Sequence, residues 1–359
     1  MKFELKWLAW EITRQCNLDC VHCRSASSLA SPAGVWDLEK AKAFLDDLVG
    51  FARPVVVLTG GEPLLHKDVF DIASYGTSKG LRMALATNGT MVTAETCKKI
   101  KESGIQVAAL SLDGAGASTH DAFRRQAGAF DAVMKAAALF RENNIPFIIN
   151  SSFTKRNRPD LENTFLLAKK LGAIAWYMFM IVPMGRAKEM LNDLIGPKEY
   201  DKILRWHFEQ ELKEKDILMR PTCAPHYYRL VRQWSKEMDI KFKQRSLSWS
   251  TGGSKGCLAG QTIALVDAFG EVQPCSYFAQ SAGNCLKTPL SKLWYSAPLL
   301  LRMRAFNDYK GRCGACPYIK VCGGCRARAG VLLDNDMDED PMCRYIPPGY
   351  DGDIHKFPD

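Results

Sequence analysis

The sequence predicts an α/β fold in which a parallel sheet of six strand-helix units precedes a smaller, cysteine-rich unit. Short apolar runs of strand length alternate with amphipathic helical stretches through the first 190 residues. Strict alternation of this kind produces a parallel sheet with right-handed crossovers. Six units are too few to close an eight-stranded barrel.

Each predicted strand is a β-branched or apolar run, and each predicted helix is an amphipathic stretch after such a run. The strands cover residues 8–13, 55–59, 82–86, 107–112, 147–152 and 176–181. The helices cover residues 38–49, 68–79, 94–103, 129–143 and 160–171, and one more helix is expected over 197–215. Chemistry is expected at the carboxyl ends of the strands.

Length and composition set the domain organisation. A chain of 359 residues with 47% apolar residues can bury a large core and a second, smaller unit. We predict a core domain over residues 1–190, a helical bridge and connector over 191–256, a cysteine-rich domain over 257–348 and a tail over 349–359. We expect a monomer.

Charge and cysteine usage narrow the class of protein. No segment reaches 18 consecutive apolar residues, the length needed to span a membrane. Charged residues at Lys2, Glu4 and Lys6 stand where a signal peptide would have its apolar region. The sequence therefore predicts a cytoplasmic protein with no membrane partner. The 13 cysteines, grouped in C-x-x-C spacings, then indicate metal binding rather than disulfides. The net charge of +9 fits either a merely basic surface or a polyanionic substrate, and no motif supports a nucleic-acid partner.

Three closely spaced cysteines follow the first predicted strand. Cys16, Cys20 and Cys23 form C-x-x-x-C-x-x-C in RQCNLDCVHCRS. Three thiolates this close can hold three irons of a cubane cluster and leave the fourth iron open to a small molecule. The alternatives are ordinary thiols or a zinc knuckle, for which only His22 is a local fourth ligand.

A second motif ends the second predicted strand, about 40 residues after these cysteines: Gly60, Gly61, Glu62 and Pro63. Two glycines at the carboxyl end of a strand let a ligand approach the backbone closely, and the glutamate beside them can hold an ammonium group. The alternative is an ordinary turn.

With these two motifs the chain resembles the radical S-adenosylmethionine (SAM) enzymes. The resemblance implies an open, partial (β/α)6 TIM-like barrel, with a SAM-binding 4Fe-4S cluster on the cysteine triad and catalytic roles for the triad and Glu62. It also implies that SAM is contacted by Gly60, Gly61 and Glu62 at the amino group, by Ser111 and Asp113 at the ribose, and by Arg124, in HDAFRR, at the carboxylate. Asn150, at the end of the fifth predicted strand, is a further candidate for SAM binding.

Several of these SAM-binding predictions have structural alternatives. Asp113 and Gly114 are a common turn pair. Arg124 could simply pair with a helix carboxylate, and Ser111, like other serines at strand ends, could cap the next helix.

A second group of seven cysteines lies near the carboxyl end of the chain: Cys257, Cys275, Cys313, Cys316, Cys322, Cys325 and Cys343. The pattern resembles the SPASM extension, which carries auxiliary iron-sulfur clusters. A zinc ribbon is the alternative, but it needs C-x-x-C knuckles about 15–20 residues apart. Only five residues separate Cys316 from Cys322 here.

The SPASM resemblance implies two auxiliary 4Fe-4S clusters. One would be held by Cys313, Cys316, Cys322 and Cys343, and the other by Cys257, Cys275 and Cys325, whose fourth ligand is left open between substrate, solvent, Cys223 and Cys285. The chain departs from the usual pattern twice. Only Gly323 and Gly324 separate two of the cysteines where three residues are usual, and no cysteine lies between Cys257 and Cys275. Cys97, alone on a predicted helix, is expected to be structural.

The branch of the family follows from seven stretches: AWEITRQCNLDCVHCR, LTGGEPLL, SLDGAGASTHDAFR, VPMGRA, PTCAPHYYR, GEVQPCSYF and CGGCRARA. Together they look like the tetrapyrrole-modifying branch of the SPASM proteins, and within it the Fe-coproporphyrin III decarboxylases, or haem b synthases, of the sirohaem-dependent pathway. The resemblance implies radical abstraction of a propionate β-hydrogen, loss of CO2, electron transfer to an auxiliary cluster and a vinyl product. It also implies an iron porphyrin substrate and an electron donor such as ferredoxin or flavodoxin.

Such a substrate needs basic side chains for its propionates, aromatic faces for its ring and an axial ligand for its iron. Arg220, His226, Tyr227, Tyr228 and Arg229 offer all three within ten residues. The alternative is that the tyrosines are helix residues and the histidine caps a turn. Arg326 and Arg328 form a second basic pair where an anion could dock.

Three other functions stay open from the sequence. The first is a related tetrapyrrole enzyme that removes acetate or propionate groups from a sirohaem-derived ring, as in haem d1 formation. The second is a SPASM peptide maturase, although the motif begins only 15 residues from the start and leaves no room for a winged-helix module before it. The third, an iron-sulfur electron carrier, would need neither GGEP nor a large barrel.

Overall fold

The computed structural model describes residues 3–247, 255–355 and 357–359. Part of the predicted connector, residues 248–254, lies outside this range. The α/β fold class is confirmed: the described residues form one sheet of nine strands with helices packed against it.

The six predicted strands are all present, with ends that differ from the prediction by one residue at most. They are β1 Trp7–Thr13, β2 Val55–Gly60, β3 Arg82–Thr87, β4 Val107–Ser111, β5 Phe147–Phe153 and β6 Ala175–Met180. Neighbours in the chain are parallel neighbours in the sheet. The carboxyl ends of all six strands therefore meet at one edge.

The sheet continues beyond these six strands on both sides, which the sequence did not predict. β7, Leu218–Thr222, adds parallel to β6 in a region expected to be a helical bridge. Its Pro221 has no N–H for a further partner, as befits an edge strand. On the other side β8, Ile263–Val266, pairs parallel with β1, and β9, Val272–Gln273, pairs antiparallel with β8.

Helices cover one face of the sheet. The predicted helices are α1 Leu38–Phe51, α2 Val69–Ser78, α3 Ala94–Glu102, α5 Ala129–Glu142, α6 Leu161–Lys170 and α7 Pro197–Lys213. A further helix, α4 Ala117–Arg124, was not predicted. The helix α8 Tyr227–Glu237 agrees with the alternative in which Tyr227 and Tyr228 are helix residues. The carboxyl-terminal region adds α9 Leu290–Ser296, α10 Pro298–Arg302, α11 Gly311–Gly314 and α12 Arg326–Leu333. In α1, Ala41, Phe44, Leu45 and Leu48 are buried at helical spacing.

The opposite face of the sheet carries a separate apolar cluster, distinct from the larger core under the helices. Its buried members include Ala84, Ala109, Ile148, Ala175 and Leu218. Strand residues two positions apart share a face, so residues that continue this pattern toward the carboxyl ends also lie on this face. Within the described ranges, no helix is both long and apolar enough to cross a membrane.

Candidate functional site

The loop after β1 places the three amino-terminal cysteines together. Cys16 and Cys20 are buried with Leu18 in a small cluster of their own, and Cys23 packs against it. The backbone N–H of Leu18 donates to Cys16 Sγ over 3.4 Å. Bonds from N–H groups to cysteine sulfur are typical of iron-sulfur ligands, whose potential they tune.

The glycines of GGEP allow the second motif to pack directly on the cysteine loop. Gly61 N–H donates to the Thr13 carbonyl over 2.9 Å, and Glu62 N–H donates to the Gln15 carbonyl over 2.8 Å. A Cβ on Gly60 would lie 2.0 Å from the Thr13 oxygen, and one on Gly61 would lie 2.2 Å from the Gln15 oxygen. No other residue type fits at either position without moving backbone.

Glu62 is fully buried beside this contact. Its carboxylate accepts hydrogen bonds from Thr87 Oγ1 over 2.8 Å, from Asn88 N–H over 2.8 Å and from Leu64 N–H over 3.1 Å. Burial raises the pKa of Glu62 to about 7, against the opposing effect of these donors. A carboxylate can accept about four hydrogen bonds, so Glu62 retains room for one from a ligand amino group.

Asp113 and Arg124 form a buried ion pair with each other rather than standing free at the strand end. Asp113 also accepts from the Ser152 N–H over 2.7 Å. Arg124 Nη1 lies 3.7 Å from Cys20 Sγ. The contacts predicted for these residues, Asp113 with the SAM ribose and Arg124 with the SAM carboxylate, therefore remain predictions. The observed pair places the positive charge of Arg124 beside the thiol of Cys20.

A row of polar side chains crosses the face of the sheet opposite the main core. Ser111 is the register partner of Asn150, Asn150 of Tyr177, and Tyr177 of Arg220. All four are partly buried, and they continue the strand positions of the small apolar cluster on that face. The buried Oδ1 of Asn150 has no hydrogen-bond partner within the described part of the chain, as expected of a polar group that awaits a ligand.

The four cysteines predicted for one auxiliary cluster line a single cavity: Cys313, Cys316, Cys322 and Cys343. The sulfurs of Cys316 and Cys322 accept from backbone N–H groups over 3.4 Å and 3.5 Å. Gly323 and Gly324, which shorten the usual spacing, both have positive φ angles, +73° and +58°. The short spacing is thus accommodated by a turn that favours glycine.

Cys257, Cys275 and Cys325 form the second predicted set and share another apolar cluster. Cys325 is buried within this cluster, and the other two pack against it. The N–H of Tyr277 donates to Cys275 Sγ over 3.4 Å. The structure therefore keeps the seven cysteines in two groups, as the resemblance implied, while the roles of these residues remain predictions.

The donor sets fit iron-sulfur clusters better than single metal ions. All 13 cysteines lie in the described part of the chain and are free thiols. No three His, Cys, Asp or Glu side chains among the described residues are placed to hold one metal ion, as zinc would require with Zn–S distances of about 2.3 Å. In a cubane each thiolate binds a different iron, so the sulfurs need not converge on one point.

Burial raises the pKa of the Cys16 thiol to about 12, so its thiolate form needs a cationic partner.

The five residues predicted to contact a porphyrin do not form one surface. Arg220 and Tyr228 lie together, with Nη1 and Oη 3.4 Å apart, and Tyr227 is buried and donates to Glu211. His226 is buried against Tyr200, with ring centroids 4.7 Å apart. Arg229 lines the four-cysteine cavity, with Nη2 3.7 Å from Cys343 Sγ. Of the five, Arg220 alone belongs to the polar row.

The expectation that Arg326 and Arg328 could dock a substrate anion is not supported, because both guanidinium groups are fully buried and bonded within the protein. Arg326 contacts Cys313 Sγ over 3.4 Å and the backbone carbonyl of Asp336 over 3.1 Å. Arg328 pairs with Asp340 at 3.1 Å.

Sequence reasoning missed one charged pair near the cysteine loop. Glu11, on β1, is buried, and its Oε1 accepts from Arg24 over 2.5 Å and from Ser25 Oγ over 2.6 Å. The positive charge of Arg24 also acts on the Cys275 thiol and lowers its pKa, although burial raises that pKa by more. A glutamate inside the apolar strand WLAWEIT was the available signal.

Two family models match the chain: the radical SAM superfamily over residues 10–168 and an iron-sulfur cluster-binding domain, SPASM, over residues 257–326. The AdoMet-dependent heme synthase of Methanosarcina barkeri (strain Fusaro / DSM 804) is 43% identical over 340 residues, 95% of this chain and 96% of that protein. The AdoMet-dependent heme synthase of Nitratidesulfovibrio vulgaris is 37% identical over 342 residues, 95% and 93% of the two chains. Among solved structures, Streptococcus suis SuiB bound to the precursor peptide SuiA has a TM-score of 0.74 at 17% identity, over 96% of this chain and 77% of that one, which shows the fold.

Proposed function

The chain belongs to the radical SAM superfamily and carries a SPASM iron-sulfur domain, and from this premise we propose that it is a haem synthase. In the proposed reaction it converts two propionates of Fe-coproporphyrin III to vinyl groups. The observation that carries the proposal is the 43% identity to a heme synthase over almost the full length of both chains. Likeness to the peptide-bound structure, at 17% identity, concerns the fold alone and gives no support to a peptide substrate.

The stoichiometry sets what the protein must do for each propionate. One hydrogen atom leaves the β-carbon, the carboxylate leaves as CO2 and one electron is accepted, so that –CH2–CH2–COO⁻ becomes –CH=CH2. The cluster-bound SAM supplies the 5′-deoxyadenosyl radical that takes the hydrogen atom. The protein supplies binding, orientation and an electron acceptor.

Three groups of side chains would divide this work. Cys16, Cys20 and Cys23 would hold the SAM-binding 4Fe-4S cluster, and Glu62 would accept a hydrogen bond from the SAM amino group. Ser111 and Asn150 would contact SAM from the polar row, and the buried, unpartnered Oδ1 of Asn150 supports this role. The two carboxyl-terminal cysteine groups would hold auxiliary 4Fe-4S clusters that accept the electron.

Arg220 is our candidate for holding a substrate propionate. It is partly buried on the face of the sheet opposite the main core, in the same row as Asn150. Its Nη2 donates to the Arg245 carbonyl over 2.9 Å, and its Nη1 lies near Tyr228 Oη. Neither partner is a carboxylate, and no carboxylate among the described residues lies within hydrogen-bond distance of this guanidinium group. A guanidinium in this setting can bind a carboxylate in a bidentate manner.

We also propose a cellular location, an electron donor and an oligomeric state for this haem synthase. Thirteen free cysteines suit a reducing compartment, which supports a cytoplasmic location. The single electron that cleaves each SAM would come from a carrier such as ferredoxin or flavodoxin. A monomer holds all the predicted cluster ligands, so no second copy is needed to complete a site.

An anaerobic assay tests the function directly. Iron-reconstituted protein would be incubated with SAM, a reductant and Fe-coproporphyrin III, while 5′-deoxyadenosine and porphyrin mass are followed together. We expect stepwise loss of two carboxyl groups with one deoxyadenosine for each. Deoxyadenosine without any change in porphyrin mass would leave the radical chemistry intact and reject this substrate, and sirohaem derivatives and then peptides would follow as test substrates.

Replacing Gly61 should slow SAM cleavage by displacing the cysteine loop. In Gly61→Ala the new Cβ would meet the Gln15 carbonyl oxygen at 2.2 Å and push away the segment that leads into Cys16. We expect at least about a tenfold loss in the rate of SAM cleavage, equivalent to about 1.4 kcal/mol. Gly50→Ala is the control, because a Cβ there meets no atom within 4 Å. Equal rates in the two variants would contradict the predicted role of this contact.

A further inference from the structure

A fourth cysteine joins Cys257, Cys275 and Cys325 in the folded protein. Cys223 follows β7 directly and packs against the same apolar cluster as the other three. Among the described residues, the cysteines at this cluster are these four: Cys325 within it and Cys223, Cys257 and Cys275 packed against it. These four residues come from three separate parts of the chain and are brought together by the fold.

The backbone of Cys223 is held in an unusual conformation. Its φ angle is +58°, in the left-handed region that a non-glycine residue seldom adopts. Its carbonyl oxygen accepts from Arg328 Nη2 over 2.7 Å and from Tyr200 Oη over 2.8 Å. Left-handed residues persist where their surroundings hold them and are concentrated at functional sites.

The same contacts tie Cys223 to Cys325. Arg328 pairs with Asp340, and Asp340 Oδ2 accepts from the Cys325 N–H over 2.8 Å. Both charged side chains are fully buried. The position of Cys223 relative to Cys325 is therefore set by buried, charge-assisted hydrogen bonds rather than by a surface loop.

Cys285, the other distant cysteine, lies in different surroundings. It packs at the margin of the main core, whereas the three predicted ligands lie at the smaller cluster. The charged groups that act on it are Asp267, Asp47 and Glu271, and none of them is a cysteine. Its N–H donates to the Gly270 carbonyl over 2.8 Å, within the β8–β9 connection.

We infer that Cys223 is the fourth protein ligand of the auxiliary cluster held by Cys257, Cys275 and Cys325. The inference rests on the proposed function, which supplies the auxiliary cluster, and it adds a ligand that the SPASM spacing does not contain. A cluster with four cysteine ligands has no iron open to substrate. It would accept the substrate electron without binding the porphyrin or its intermediate directly.

Iron content and spectroscopy test this assignment apart from activity. The starting protein would carry Cys16→Ala, Cys20→Ala and Cys23→Ala, so that only auxiliary clusters remain, at about eight irons per chain. Adding Cys223→Ala should lower the iron toward about four atoms per chain or leave a three-iron cluster with its own EPR signal after oxidation. Cys285→Ala in the same background is the matched control and should keep both iron content and EPR spectrum. Identical results for the two variants would overturn the inference.

A second measurement does not depend on the folding of the Cys223 variant. Cyanide added to the reduced, auxiliary-only protein should leave the EPR spectrum unchanged, because every iron already has a protein ligand. A shifted spectrum would reveal an open iron and overturn the inference. If the auxiliary-only protein binds no iron at all, the premise of auxiliary clusters fails instead, and the haem synthase assay of the unmodified protein reports separately on the proposed reaction.

Discussion

Alanine at Cys16, Cys20 or Cys23 should reduce SAM cleavage below detection, whereas alanine at Cys313 or Cys316 should leave SAM cleavage within about tenfold of the unmodified protein, a change of at most about 1.4 kcal/mol in the barrier. The first three cysteines form their own buried group, and the other two line a separate cavity in the carboxyl-terminal region. Loss of an auxiliary cluster removes a place for the substrate electron, so product should fall while deoxyadenosine continues to form.

The measurement is the ratio of deoxyadenosine formed to carboxyl groups lost, in anaerobic assays of each reconstituted variant. Cys97→Ala is the control: this thiol is buried on α3 and stands apart from the cysteine groups described above. It should retain the ratio of the unmodified protein. Equal loss of SAM cleavage in both cysteine sets would show that the auxiliary region is needed for the first step as well.

Local patterns allowed the core to be predicted from the sequence. A buried parallel strand such as β2 is a continuous apolar run, and α1 repeats its buried residues at helical spacing, so each leaves a mark within a few residues. The two amino-terminal motifs are also local. The cysteine spacing and the adjacent glycines of GGEP could therefore be placed before the structure showed that they touch.

The remaining features depend on contacts between distant parts of the chain. β7 contains an arginine and a proline within five residues, and pairing with β6 is what makes it a strand. α4 begins after Gly116 without a side-chain cap, so the sequence lacks the capping residue that would have indicated the start of this helix. Cys223 and Cys325 are separated by about 100 residues, and a spacing rule cannot bring them together.

Buried charges were the least predictable part of the site. Arg326 and Arg328 lie close to Cys325 and suggested an anion site, but both side chains are buried. There Arg326 donates to backbone carbonyls and Arg328 pairs with Asp340. Arg124 and Asp113 were assigned to two different parts of SAM, yet they pair with each other. In each case the sequence identified the charge and the fold determined its partner.

Asp340→Asn should be the most destabilising single change at these buried charges. Arg328 and Asp340 are both fully buried, with Nη1 and Oδ2 3.1 Å apart, and Asp340 also accepts N–H groups of Cys325 and Met342 over 2.8 Å and 3.1 Å. Neutralising one member of a buried pair leaves the other charge without compensation, at a cost of about 3–5 kcal/mol. We expect a loss of that size in the free energy of unfolding, measured anaerobically with denaturant.

The pair should also give the protein a characteristic acid sensitivity. Burial acts to raise the pKa of Asp340, but Arg328 and the N–H donors outweigh it and hold the pKa below its ordinary value. The stabilisation is therefore complete above about pH 4, the ordinary range of an aspartate, and is lost as the pH falls through the lowered pKa of the folded state. Asp340→Asn should lack this acid-side loss.

Two comparisons separate the buried pair from charge effects in general. Glu39→Gln breaks the exposed pair with Lys42, whose atoms lie 3.0 Å apart, and should cost less than about 1 kcal/mol. Adding Arg328→Met to Asp340→Asn should recover part of the loss, since the uncompensated charge is then removed as well. Losses that simply add would mean that the two side chains act independently. Arg328 and Asp340 would then not fix the backbone at Cys223 and Cys325 together.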